Sequence, residues 1–398
     1  MLYLFAWLTL AGALIWMCLR VSRVAKFPRM ARASSSPPCE RQSALILPVH
    51  VHRSIKDPRP SFYYKFVDNR WRNSKKLQAC KISTSLLSTL RVCQFNVLFD
   101  LYSEQERVVN SARRYEYQFS TLLPGLDADV LSLNEVTEHY LGRLLELDWV
   151  RSKYYVTRFS SKTSFSYNDK NKYFFVVLLS KYSFHAVYNF SFDRSIPSRP
   201  GSVVAGVLQL PHGRFLTICT AHLKAFPEFF RTRERQLQEL FGFMDRLGKS
   251  LPGKNSSLII GDMNMHHGEE AQLADHKARD FVIRDLWPEL RPGNPGYTLD
   301  PTVNTMIPRM WDAKSSDRFR LDRGFLIHPQ GSRPVITPVR ADLFGQQSLL
   351  LCSTRTPQPQ PVAWCTPAWR AASDSDSLAD TFASDHFGLT FDFVVDPE

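Results

Sequence analysis

Carboxylates, amides and imidazoles stand at the ends of apolar runs throughout this chain. Asn96 follows VCQF, Glu135 follows DVLSLN, and His222 follows FLTICTA. Asp262 and Asn264 follow LIIG, Asp322 follows RFRL, and Asp385-His386 precede FGLTFDF. Hard divalent cations take oxygen ligands, so Glu135 and Asp385, helped by Asn96, form a candidate set for Mg²⁺, with Mn²⁺ as a substitute. Asp262 is placed to orient or deprotonate an attacking water, and Asn264 to hold a phosphate oxygen through its NH₂. His386, as an imidazolium with Asp322 orienting it, would stabilise charge on a pentacovalent phosphorane. A metal, an oriented base and a cationic donor are the means by which phosphoryl groups are transferred to water. A lone strand-end Asp is as often a turn former or a helix cap. Six such clusters in one chain call for a common explanation.

Residues scattered over nearly 300 positions converge only if rigid elements bring them together. The runs RVCQFNVLF, DVLSLNEV, YFFVVLLS, SVVAGVLQL, FLTICTAHL, SSLIIGDMN, RGFLIH and FGLTFDFVV are short, apolar and bounded by turn formers or charges, which predicts buried strands. Sheets offer ligand sites at strand ends, where loops converge on a rigid frame. Two helical stripes intervene: Val108, Ala112, Tyr115, Phe119 and Leu122 before Gly125, and Leu237, Leu240, Phe241, Met244 and Leu247. Arg231, Arg233 and Arg235 read as the solvated face of the second helix. Strands alternating with helices give an α/β or α+β domain over residues 88–398, with a loop insertion at about 350–380 marked by TPQPQP and SDSDS.

Residues 2–19 contain no charge, and as a helix they extend about 27 Å, enough to span a bilayer. Arg20, Arg23, Lys26, Arg29 and Arg32 follow, which predicts a transmembrane anchor with the remaining chain in the cytosol. A signal peptide is the alternative, but it wants a basic stretch before the apolar run. Residues 20–87 read as a basic, Ser/Pro-containing tether and arm. The net charge of +12 suits a polyanionic partner, nucleic acid or an anionic membrane face. The 7 cysteines include no CxxC pair, which argues against a zinc or dithiol motif and for reduced thiols.

The ordered series Asn96, LNEV with Glu135, TAHL with His222, GDMN at 261–264, RLDR around Asp322 and SDH at 384–386 resembles the endonuclease/exonuclease/phosphatase superfamily. That resemblance implies a two-sheet β-sandwich flanked by helices, with the site at one edge. The stretch DLWPEL, GYTLDP, DRFRLDRGFL and SDHFGL is most similar to the 5′-type tyrosyl-DNA phosphodiesterases. It implies a phosphate contact for His222, a further catalytic position for Tyr173, and release of a tyrosyl or similar adduct from a 5′-phosphate. The departures are Leu98 where many members carry Asp (its place taken by Asp100 or left empty), His266 where a basic side chain is usual, and Leu299 in place of a tryptophan.

Three functions follow as expectations. The first is a Mg²⁺-dependent phosphodiesterase of DNA-repair type, acting as a monomer on nucleic acid with a 5′-phosphodiester adduct. The second keeps the chemistry and takes a membrane lipid, as neutral sphingomyelinases or inositol phosphatases do, with the anchor supplying proximity. The third is a catalytically dead membrane scaffold, which predicts loss of a central residue; none is lost. His266, His267 and Trp311 are candidates for the substrate side.

Overall fold

Runs of β-branched and aromatic residues form strands when both faces of the strand can be buried. The computed structural model describes residues 59–74, 87–100, 106–159, 174–193, 196, 202–270, 280–311, 316–349 and 381–396. In chain order the strands are β1 (Arg59–Ser61), β2 (Tyr64–Val67), β3 (Arg70–Asn73), β4 (Thr89–Asn96), β5 (Val130–Val136), β6 (Tyr155–Val156), β7 (Phe175–Ser180) and β8 (Ala186–Phe190). They continue as β9 (Val203–Gln209), β10 (Phe215–His222), β11 (Asn255–Asp262), β12 (Phe281–Asp285), β13 (Asp322–Pro329), β14 (Ile336–Phe344) and β15 (Gly388–Val395). All eight apolar runs are strands. The rest are short, at sheet edges, or more polar, and so carry a weaker signal.

Two mixed sheets result, one ordered β1-β8-β9-β10-β11-β13-β12 and the other β14-β15-β4-β5-β7-β6-β2-β3. At the centre of each lies a parallel pair, β10 with β11 and β4 with β5. The four strands therefore deliver their C-terminal residues in matched pairs, His222 beside Asp262 and Asn96 beside Asn134. Antiparallel β13 then sets its first residue, Asp322, opposite Asp262.

The sheets bury Leu90, Val92, Val130, Leu178, Leu216, Ile218, Leu258, Ile260, Leu326 and Phe391 in one core. The outer face of the first sheet is covered by the long helix Phe230–Ser250, which packs Leu237, Leu240, Phe241, Met244 and Leu247 against Cys219, Ile259 and Phe325. The outer face of the second packs Phe95, Leu131, Leu133 and Val177 against Tyr115, Phe119, Tyr140 and Leu141.

Three expectations change. Residues 59–73 are not tether: β1 pairs with β8 and the β2–β3 hairpin adds to β6, so the domain begins before residue 88. The stripe from Val108 to Leu122 is not one helix. It breaks at Asn110, whose backbone is left-handed (φ 47°), and Val108 packs with Leu98, Met306 and Phe387 rather than with Tyr115 and Phe119. Arg233 is fully buried, because it faces loops folded over the start of its helix rather than solvent. Arg231 and Arg235 are exposed, as expected. Among the described residues no helix is long and apolar enough to cross a membrane. The anchor at 2–19 and the insertion at 350–380 lie outside the described residues.

Candidate active site

Side chains alternate across a strand, and here the alternation carries the chemistry. The face of β4 turned to the other sheet reads Leu90, Val92, Gln94, Asn96; that of β5 reads Val130, Ser132, Asn134. That of β10 reads Leu216, Ile218, Thr220, His222, and that of β11 reads Leu258, Ile260, Asp262. Each is apolar for most of its length and turns polar at the same end of the sandwich. There the two sheets are joined by hydrogen bonds instead of hydrocarbon. Ser132 donates to Thr220 Oγ1 at 2.7 Å, and Asn134 Nδ2 donates to the same oxygen at 3.1 Å. Asn134 Oδ1 accepts from Gln94 Nε2 at 3.0 Å and from the Asp262 backbone N–H at 2.9 Å.

This network fixes Asp262 from behind. Its Oδ1 accepts the backbone N–H of Asn264 at 2.9 Å, closing a tight turn in which Asn264 is left-handed (φ 50°). Gly261 lets β10 and β11 approach, since a Cβ there would lie 2.0 Å from the Ala221 carbonyl oxygen. Asp262 Oδ2 remains as the centre of the site. It accepts Asn96 Nδ2 at 3.0 Å and lies 3.5 Å from His222 Nε2 and 3.9 Å from His386 Nε2. The Asn96 oxygen accepts the Leu98 N–H at 3.1 Å, so Asn96 turns its NH₂ inward and its carbonyl is occupied by the backbone. Asn264 Nδ2 donates to the Leu223 carbonyl at 3.2 Å.

His386 Nδ1 and Asp322 Oδ2 are 2.7 Å apart, and Asp322 Oδ1 accepts Gln94 Nε2 at 2.7 Å. Burial alone would lower the His386 imidazole, but Asp322, Asp262 and Asp385 outweigh it and hold it well above its ordinary value. Burial pushes the Asp322 carboxyl up as well, against the pull of His386. With three carboxylates around the ring, the shared proton rests on the imidazole, which donates it to Asp322. Glu135 lies 3.9 Å from His222 through Oε1 and accepts the Phe99 N–H at 3.2 Å through Oε2. Burial and then Asp385 push its carboxyl up to about 8. Its backbone is left-handed (φ 59°), which turns it out of the strand alternation toward the cleft.

Glu135 and Asp385 thus present hard oxygen donors in a buried place where their charges repel. That donor set fits a hard divalent cation, which would relieve the repulsion. The trio Glu135, His222 and Asp262, with donor atoms within 4.8 Å of one another, is a second grouping able to hold a metal.

These groups line a cleft of about 610 Å³. The structure brings Asp262, Asn264, His386, His222, Glu135 and Asp385 to its surface, while Asn96 and Asp322 support Asp262 and His386 from within. His266 and Leu299 also line it, and His267 meets Phe319 and Tyr297 at its edge. Asp100 turns to His139 (2.8 Å) and does not line the cleft, so it supplies no contact there in place of the Asp lost at Leu98. Tyr173 and the Trp311 side chain lie outside the described residues. The positioning residues Gln94, Asn134, Thr220 and Thr298 did not stand out as chemical groups. Thr298 accepts the N–H groups of Leu321 and Asp322 at 3.1 Å each, and its carbonyl accepts Phe387 N–H at 2.7 Å. For Gln94, Asn134 and Thr220 the signal was the period-two recurrence of polar residues inside apolar strands, whereas Thr298 lies outside the strands.

Above these groups the walls are rings. Phe99 stacks on Phe174 at 4.8 Å and Phe174 on His222 at 5.1 Å. On another wall His266 meets Phe319 edge-on at 4.8 Å, and Phe226 stands 62% exposed at the mouth.

No curated protein sequence matches the chain significantly. Among solved structures it is similar to TDP2 from D. rerio complexed with single-strand DNA product, at 19% identity and TM-score 0.50, covering 77% of this chain and 99% of that one. It is also similar to beta toxin from Staphylococcus aureus, at 18% identity and TM-score 0.50 over 76% of this chain and 99% of that one. A third is an endonuclease/exonuclease/phosphatase family protein from Bacteroides thetaiotaomicron, at 14% identity and TM-score 0.50 over 78% and 96%. At these identities the likeness is one of fold. The profile of the Endonuclease/Exonuclease/phosphatase family matches residues 93–386, so the chain belongs to that family of metal-dependent phosphoric ester hydrolases.

Proposed function

We propose that this protein is a Mg²⁺-dependent phosphodiesterase that hydrolyses a tyrosyl or similar adduct from the 5′-phosphate of nucleic acid. The observation that carries the reading is the single cleft in which Asp262 and the His386–Asp322 pair lie below walls of stacked rings. Asp262 Oδ2 takes the proton of the attacking water, its other oxygen being held by the Asn264 backbone. The water oxygen bonds to phosphorus as the bond to the leaving oxygen breaks. The His386 imidazolium, with His222 and the Asn264 amide, meets the charge that grows on the phosphoryl oxygens. Mg²⁺ bound by Glu135 and Asp385 would supply Lewis-acid polarisation of one such oxygen. The ringed walls suit planar groups, bases or a tyrosyl ring, and the basic chain suits a polyanion. The solved D. rerio structure of similar fold carries a single-strand DNA product, which supports the same substrate class. In this reading residues 2–19 hold the domain on the cytosolic side of a membrane.

The test is to incubate the full chain with Mg²⁺ and a 5′-phosphotyrosyl oligonucleotide. Release of tyrosine and a 5′-phosphorylated strand, absent in Asp262→Ala and His386→Ala, is the expected result. A second reading, cleavage of a membrane phosphodiester such as sphingomyelin, draws on exposed Phe226 and Phe230. Turnover of sphingomyelin vesicles alone would replace the first reading by the second.

A further inference from the structure

Phe226 is oddly held for a residue with so little packing. Its backbone sits at φ 77°, ψ 143°, close to a region that essentially only glycine occupies, and 62% of the residue is exposed. A strained backbone persists only when its surroundings over-determine it. Here the surroundings are Arg233, whose side chain is fully buried on the long helix. Its Nη1 donates to the Phe226 carbonyl at 2.6 Å and to the Lys224 carbonyl at 2.8 Å. Its other edge grips both oxygens of Glu269, through Nε at 2.9 Å and through Nη2. Gln236 Oε1 adds a bond to the Lys224 N–H at 2.9 Å. One guanidinium therefore ties the loop after His222 to the loop after Asn264, two loops that flank Asp262. A buried bidentate pair of this kind is a means of fixing geometry.

We infer that Phe226 is a specificity-determining residue, held out at the cleft mouth by Arg233 and Glu269 to stack on a planar aromatic group of the substrate. This rests on the nucleic-acid reading above and deepens it. The shared chemistry is an aromatic ring, which comes either from the nucleobase next to the scissile phosphate or from the tyrosyl leaving group. A membrane occupant fits less well, because Glu228 is exposed between Phe226 and Phe230 and would carry a negative charge into the headgroups.

The test compares the full-length wild type with Phe226→Ala, Phe226→Gly and Phe226→Trp on three oligonucleotides. The first carries a 5′-phosphotyrosyl group, the second the same group on an abasic first nucleotide, and the third a 5′-methyl phosphodiester. On the first, KM rises about five- to fifty-fold in the alanine and glycine variants, kcat changes far less, and tryptophan restores KM. Loss of the effect on the abasic strand assigns the ring to the base; loss on the methyl ester assigns it to tyrosine. Phe226→Gly keeps or raises the melting temperature, since glycine relaxes the backbone. Arg233→Lys moves KM in the same direction, and the double variant with Phe226→Ala is no worse than Phe226→Ala alone. An unchanged KM, a rise equal on all three oligonucleotides, or a fall in the melting temperature of Phe226→Gly would overturn the inference. If the wild type cleaves none of the oligonucleotides, it is the underlying substrate reading that fails.

Discussion

The floor and the mouth of the cleft are built on opposite principles. At the floor, Asp262, Asp322 and His386 are almost wholly buried and tied to backbone or side-chain partners. Strands of both sheets supply those partners, so the geometry is as rigid as the sandwich itself. At the mouth, Phe226 is exposed and strained, and it is held through its main chain rather than through packing of its ring. The difference separates two functions. A floor fixed in advance suits stabilisation of a charge distribution common to all phosphoryl transfers. A mouth of exposed rings suits selection among substrates that share that phosphate.

The sharpest way to break this division is to damage the floor. Asp262→Ala or His386→Ala should lower kcat by about 10³-fold or more, because a base or a charge stabiliser is removed outright. The same loss on every substrate, read by single-turnover kinetics, is what the division requires. Next comes the network behind the floor. Asn134→Ala leaves the Asp262 N–H and one Gln94 N–H without their shared acceptor, so it should cost about 1–3 kcal/mol in denaturant unfolding. It should also lower kcat by about 10²-fold through misplacement of Asp262, with KM little moved.

The floor also predicts a pH dependence. The His386 imidazole is held above its ordinary value, so the stability its charge contributes is complete below about pH 6.5 and is lost as pH rises through the raised value. The Glu135 carboxyl is pushed up to about 8, so keeping it ionised costs stability progressively as pH climbs toward that value. Both act in one direction. The metal-free protein should melt lower at about pH 8.5 than at about pH 6, and Mg²⁺ should restore more at the higher pH, measured by calorimetry. Asp322→Asn removes the largest influence raising His386, so the alkaline limb of the kcat profile should move to lower pH. The smallest effects belong to the mouth, where Phe226 variants should shift KM by about tenfold and leave the pH profile where it was.

How far the site could be read in the sequence follows the same line. Asp262, Asn264, Asp385 and His386 stand at strand ends, where a polar residue interrupts an obvious apolar run. The eight runs were legible for the same reason: both faces of those strands are buried. Gln94, Asn134 and Thr220 were harder to see. They lie inside strands, and their importance depends on which face meets the other sheet, which pairing and register decide. Arg233 misled because a charged residue beside Arg231 and Arg235 looks solvated. Its burial is set by loops that fold back over the helix start, a tertiary fact with no local signature. Strands β1 to β3, at the ends of the two sheets, were read as tether, because short, charged segments acquire strand structure only from a partner.

The central claim is that this floor hydrolyses a phosphodiester by metal-assisted attack of water. Its most direct test is single-turnover cleavage of a 5′-phosphotyrosyl oligonucleotide by the full chain in ¹⁸O-labelled water with Mg²⁺. The expected result is release of tyrosine, one labelled oxygen in the 5′-phosphate, abolition by chelator and by Asp262→Ala, and recovery of the wild type on adding Mg²⁺. Cleavage that persists undiminished in Asp262→Ala, or product phosphate without label, would contradict it.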